Sequence, residues 1–243
     1  MEGFVAVGAP VLFIPGINCS ARLFLSQIPA IWKHRPVMIA DHRTGSSIGE
    51  IADNILMASP PRFCLVGFSM GGYVALDIMR RAGDRVEKLA LISTSARPDD
   101  ASQAAGRAER IARLSADDSD TWIEQRFRQL VDPARIDDRN LLGFYRQMAL
   151  EDVGRDAAVR HLIATLDRPD ARPTLSGISC PTAILVGEAD RITPPALSEE
   201  IAETIAASRL TVIPDCGHLS PIEQPEAVTQ ALLSWLNSDQ RPH

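Results

Sequence analysis

A serine hydroxyl with a glycine two residues to either side, in Gly67-Phe68-Ser69-Met70-Gly71-Gly72, is the first group in this chain that could attack an electrophile. Before it, Phe63, Cys64, Leu65 and Val66 form an apolar run of strand length; after it, Tyr73, Val74, Leu76, Ile78 and Met79 recur near helical spacing. A serine at such a junction sits on a sharp turn, where a β-carbon two positions away would collide with the adjoining strand or helix. The hydroxyl is thereby turned clear of the fold.

An alcohol is a weak nucleophile at neutral pH. Acyl transfer requires a neutral imidazole to take its proton and an acceptor to fix the imidazole's tautomer. Of the five histidines, His34 follows a helical pattern, His42 lies in a polar turn, His161 falls inside a helical stretch and His243 is the last residue. His218, in Pro214-Asp215-Cys216-Gly217-His218, directly follows the apolar run Leu210 to Ile213, at a strand's C-terminal end. Asp190, just past the run Ala183 to Gly187, is the candidate acceptor, with Glu188, Asp215 and Asp99 as rivals. A developing oxyanion needs preorganised donors: the Met70 N–H opens the helix after the serine, and the loop Pro15-Gly16-Ile17-Asn18-Cys19-Ser20 supplies a second through Ile17, while Ser20 caps.

These groups can meet only if several strands end at one rim. Apolar runs at Val11 to Ile14, Val37 to Ala40, Phe63 to Gly67, Leu89 to Ser93, Ala183 to Gly187 and Leu210 to Ile213 alternate with helical patterns. The helices are expected near Arg22 to Trp32, Ile48 to Ala58, Met70 to Ala82, Leu197 to Ala206 and Glu226 to Leu236. That alternation predicts an α/β fold, a mostly parallel sheet flanked by helices. Between Arg97 and about Arg172 the strand-like runs vanish and charged helical segments take over, predicting an all-helical insertion.

With 243 residues and 45% hydrophobic content, the chain can bury one large core. The net charge of -6 gives no basic footprint for nucleic acid or anionic lipid. Cys19, Cys64, Cys180 and Cys216 are scattered, without a Cys-x-x-Cys pair or histidine cluster to hold zinc, and read as reduced thiols. The N-terminus lacks the pattern of a secretory signal and no apolar run reaches membrane-spanning length, so the expectation is a soluble, cytoplasmic protein of open oligomeric state acting on a small molecule.

Taken together, the Gly67 to Gly72 elbow, Gly187-Glu188-Ala189-Asp190, and Gly217-His218 with Glu223-Gln224-Pro225 resemble the α/β-hydrolase superfamily over nearly the whole chain. The resemblance implies Ser69 as nucleophile, Asp190 as acid and His218 as base, because the order Ser, Asp, His matches that family. It also implies a core of residues 1–96 and 173–243 and a helical lid of 97–172. Two departures stand out: Pro15 precedes Gly16 where the family commonly has histidine, and the first hairpin is reduced. The sheet is therefore expected to have six or seven strands, with one short strand around Phe4 to Val7. The activity implied is an esterase-like serine hydrolase working through an acyl-serine, with no metal or organic cofactor. The alternatives are a lactone or carbon–carbon bond hydrolase, a perhydrolase, or a non-catalytic ligand receptor on this fold. Arg107, Arg110, Arg126 and Arg128 in the insertion are candidates for a substrate carboxylate, against the plainer reading of a solvated face.

Overall fold

Strands buried on both faces read as unbroken apolar runs, and here such runs line up side by side. The computed structural model describes residues 8–115 and 119–238. Six strands, β1 (Val11–Ile14), β2 (Val37–Ile39), β3 (Phe63–Phe68), β4 (Val86–Ile92), β5 (Thr182–Gly187) and β6 (Ser208–Ile213), form one sheet in the order β2-β1-β3-β4-β5-β6. Every neighbouring pair is parallel. The expected strand near Phe4 to Val7 lies outside the described residues.

All six residues of β3 are buried. Cys64, Val66 and Phe68 enter the core on one face while Phe63 and Leu65 enter the other, as the two-residue period of a strand requires. Helices α1 (Gln27–Trp32) and α11 (Pro225–Asn237) cover the first face through Ile31, Val228, Leu232 and Trp235. Helices α2 (Ile48–Ala58), α3 (Met70–Ala82) and α9 (Pro195–Thr204) cover the second through Ile51, Ile55, Val74, Leu76 and Ile201. Each large side chain so buried contributes about 1.5–3 kcal/mol.

Two segments depart from the sequence reading. The helix expected over Arg22 to Trp32 is a 3₁₀ turn at Ala21–Phe24 followed by α1. Pro29 explains the break: it has no N–H to donate and its ring would clash with a carbonyl four residues back, so it fits only in a helix's first turn. Strand β4 starts at Val86, three residues before Leu89.

Between β4 and β5 the described chain is helical: α4 (Ala101–Ser115), α5 (Ser119–Leu130), α6 (Arg139–Arg146), a π-helical segment Gln147–Val153, α7 (Arg155–Leu166) and the short α8 (Arg172–Leu175). The chain's departure and return are clasped together. Ala171 N–H donates to the Ala96 carbonyl at 2.8 Å and Arg168 Nε to the Arg97 carbonyl at 3.0 Å. Asp99, its side chain almost fully buried, is paired by both Arg107 and Arg168. Short α10 (Ser220–Glu223) follows β6. No helix of the described residues is long and apolar enough to cross a membrane.

Candidate active site

The strand order reverses at β1, between β2 and β3, and the loops after β1 and β3 open at the sheet's C-terminal rim, where open α/β sheets bind ligands. Ser69 ends β3 and begins α3 with φ 53° and ψ −114°, a conformation that L-residues resist. Neighbours over-determine it: Ser69 N–H donates to the Ile92 carbonyl at 2.9 Å and its own carbonyl accepts from Thr94 Oγ1 at 2.8 Å. A β-carbon at Gly71 would run into the carbonyl oxygen of Ile14, so glycine here lets α3 start against β1.

His218, brought by the loop after β6, places Nε2 2.9 Å from Ser69 Oγ, and Nδ1 lies 2.8 Å from Asp190 Oδ2. Asp190, in the loop after β5, accepts from the Ile192 and Thr193 amides at 2.9 Å each and from the Thr193 hydroxyl at 2.9 Å. Burial works against its charge, yet the facing His218 and these donors hold the carboxyl below its ordinary range. An acceptor at Nδ1 keeps the proton on that nitrogen and leaves Nε2 free to accept one from Ser69. The rivals do not share this role: Asp99 is held by Arg107 and Arg168, and neither Glu188 nor Asp215 forms a hydrogen bond or ion pair with the His218 ring among the described residues.

The amides of Ile17 and Met70 have no protein acceptor among the described residues, and Ile17 borders the same cavity as Ser69. That cavity is about 410 Å³, walled by the rim and by insertion side chains that include Trp122, Tyr145 and Leu162. Cys19 also borders it, but burial pushes its thiol up to about 12, so it stays protonated and does not compete with Ser69. Among the described residues no group of three His, Cys, Asp or Glu could hold a metal ion.

Two supports are absent from the sequence reading. Glu223, only 2% exposed, accepts from the amides of Gly217 (3.1 Å), Leu219 (2.9 Å) and Asp132 (2.7 Å), so it grips the chain on both sides of His218 and ties it to the end of α5. A Glu-Gln-Pro after Gly-His was visible, but nothing in it says that the carboxylate turns inward. His42, read as part of a polar turn, is buried with Nε2 3.1 Å from the Gly16 carbonyl, and stacks on His161 with ring centroids 4.6 Å apart. His161 Nε2 in turn lies 3.1 Å from the His42 carbonyl. Burial lowers both imidazoles, to about 4 for His42 and about 3 for His161, so both are neutral and Nε2–H can donate. The loop lacking the family's histidine at position 15 is thus held from position 42. Arg128 is exposed and paired with Asp137, away from the cavity.

Known proteins show the family to which this fold belongs. A family model described as "Alpha/beta hydrolase family" matches residues 11–231. A thermophilic esterase from Thermogutta terrifontis, solved with malate bound, superposes with a TM-score of 0.85 and 30% identity over 95% of this chain and 90% of that one. The enol-lactonase from Burkholderia xenovorans LB400 shares the fold, with a TM-score of 0.83 at 22% identity over 97% of this chain and 94% of its own. In sequence, a pimeloyl-[acyl-carrier protein] methyl ester esterase of Neisseria meningitidis is 28% identical over 89% of this chain and 88% of its own. A triad-like relay at the rim of a six-stranded parallel sheet, carried by a chain that matches the family model almost end to end, makes this protein an enzyme of the alpha/beta hydrolase family.

Proposed function

We propose that the protein is a serine hydrolase that cleaves a small carboxylic ester or lactone through an acyl-enzyme on Ser69. The observation that carries this reading is the unbroken relay from Ser69 Oγ to His218 to Asp190, at 2.9 and 2.8 Å, opening onto the cavity. As Ser69 Oγ attacks the carbonyl carbon, its proton passes to His218 Nε2, and Asp190 stabilises the imidazolium that forms. The carbonyl oxygen, now an oxyanion, takes hydrogen bonds from the Met70 and Ile17 amides. Collapse expels the alcohol, which leaves with the proton from His218. Water then enters, loses a proton to His218 and releases the acid, restoring Ser69. No metal or organic cofactor takes part in these steps. The helices of 97–172 act as a lid over Ser69, a role supported by their share of the cavity wall and by the His218 N–H bond to the Leu130 carbonyl at 2.6 Å. Four free thiols, Cys19, Cys64, Cys180 and Cys216, fit a reducing compartment.

The esterase names of the Thermogutta and Neisseria relatives support the same reaction class. The test is turnover of short p-nitrophenyl esters together with mass spectrometry after a fluorophosphonate probe. Hydrolysis and a single adduct on Ser69, both lost in Ser69→Ala, are expected; absence of turnover and adduct in the wild-type protein rejects the reading.

A further inference from the structure

The cavity above Ser69 is crowded with positive charge, and its arginines divide into two kinds. Six border it: Arg97, Arg107, Arg110, Arg126, Arg168 and Arg191. Four are spoken for by protein partners. Arg97 pairs with Glu200, Arg107 and Arg168 share Asp99, and Arg191 donates to the carbonyls of Arg128 and Val131. The other two have no carboxylate among the described residues: Arg110 Nε reaches only the Gly106 carbonyl and Arg126 Nη1 only the side chain of Gln129, each within its own helix. Both are half-buried. Two half-buried guanidinium groups on adjacent helices, facing one cavity without a counter-charge, are left with unused fork-shaped donors in poor solvent.

The nearby acids do not cancel them. Asp99 is consumed by its two arginines, Asp190 by His218 and Thr193, and Asp100, exposed at the start of α4, is engaged with Gln103. Burial, with Arg126 and Arg107 beside it, lowers the Arg110 guanidinium to about 10, and burial lowers Arg126 too.

We infer that Arg110 and Arg126 form the binding site for a free carboxylate on the substrate, so that the enzyme prefers half-esters of short dicarboxylic acids, or lactones bearing a carboxylate, to neutral esters, which it still turns over. This rests on the acyl-serine reading of the same cavity and narrows its substrate class. The planar guanidinium fork matches a carboxylate in two-point contact, and a cavity of about 410 Å³ has room for the scissile group at Ser69 together with a short chain ending in that anion.

Monomethyl adipate and methyl hexanoate differ in having a terminal carboxylate or a methyl at the same place, which makes them the pair to compare. The wild-type enzyme is expected to prefer the half-ester by about ten- to a hundredfold in kcat/KM, through KM. That ratio should fall at least tenfold in Arg110→Gln and in Arg126→Gln, recover in part in Arg126→Lys, and stay as in wild type in Arg128→Gln. Because each variant is its own reference, a loss of folded protein cancels. Calorimetry of adipate against Ser69→Ala protein gives a readout without turnover: binding is expected, weakened by adding Arg126→Gln. Equal kcat/KM for the two esters with no adipate binding overturns the inference and leaves the esterase reading standing. Adipate binding that needs Arg126, with no hydrolysis of either ester, rejects the esterase reading and keeps the anion site.

Discussion

Ser69 holds a backbone conformation that costs an L-residue on the order of 1–3 kcal/mol, and the Thr94 and Ile92 contacts keep it there. Of two substitutions that both remove the Ser69 hydroxyl, Ser69→Gly should therefore be more stable than Ser69→Ala by about 1 kcal/mol, read from urea midpoints. Equal midpoints would mean the turn carries no strain. His42 makes the second prediction at this scale. Its bond to the Gly16 carbonyl sets the loop that carries the Ile17 amide, so His42→Ala should lower kcat about ten- to a hundredfold and slow fluorophosphonate labelling in parallel, with KM little changed. That Ser69, His218 and Asp190 meet was legible in the sequence because each follows an apolar run by a few residues, and topology then gathers strand ends. His42 was not, since one imidazole in a polar stretch carries no mark of the carbonyl it will meet.

The elements that aim these groups are held by few contacts of high value. Glu223 satisfies three amides around His218, and Glu223→Ala would strand all three in a buried place, at about 1–3 kcal/mol each where water cannot enter. A loss of about 3 kcal/mol of stability together with strongly reduced kcat is expected, with Glu223→Gln milder; unchanged urea unfolding would show that the loop is held otherwise. Strand and helix types were readable wherever apolar residues ran unbroken, as in β3, or recurred on one face, as in α2 and α3. The start of β4 was hidden by Glu87 and Lys88. Lys88 serves the neighbouring helix instead, its ammonium donating to the Trp235, Leu236 and Ser238 carbonyls at the end of α11. A charge with so distant a purpose looks, in one dimension, like the end of a strand.

For the molecule as a whole, buried titratable groups set the response to acid. His42 and His161 are lowered to about 4 and about 3 from the usual 6.5, so the unfolded chain binds more protons between those values. Their contribution is fully present above pH 6.5 and lost as the pH falls through that window, on the order of 3–5 kcal/mol for each ring. Asp190 and Asp99, both held below the ordinary carboxylate range, add a loss in the same direction at lower pH, while Glu223, pushed up by burial, opposes it. Urea midpoints should fall between pH 7 and pH 5, and fall less in His161→Phe; a flat profile would exclude the mechanism. The clasp of Ala171 to Ala96 and of Arg168 to Arg97 has a consequence of another kind. The helices between those points leave and rejoin the sheet at one place, so strand register is insulated from changes within them, but the Leu130 carbonyl and the Asp132 amide reach the His218 loop and carry such changes to it. Reactivity and taste for substrate are thus tied together through those two contacts, and a new canopy must reproduce both to be inherited.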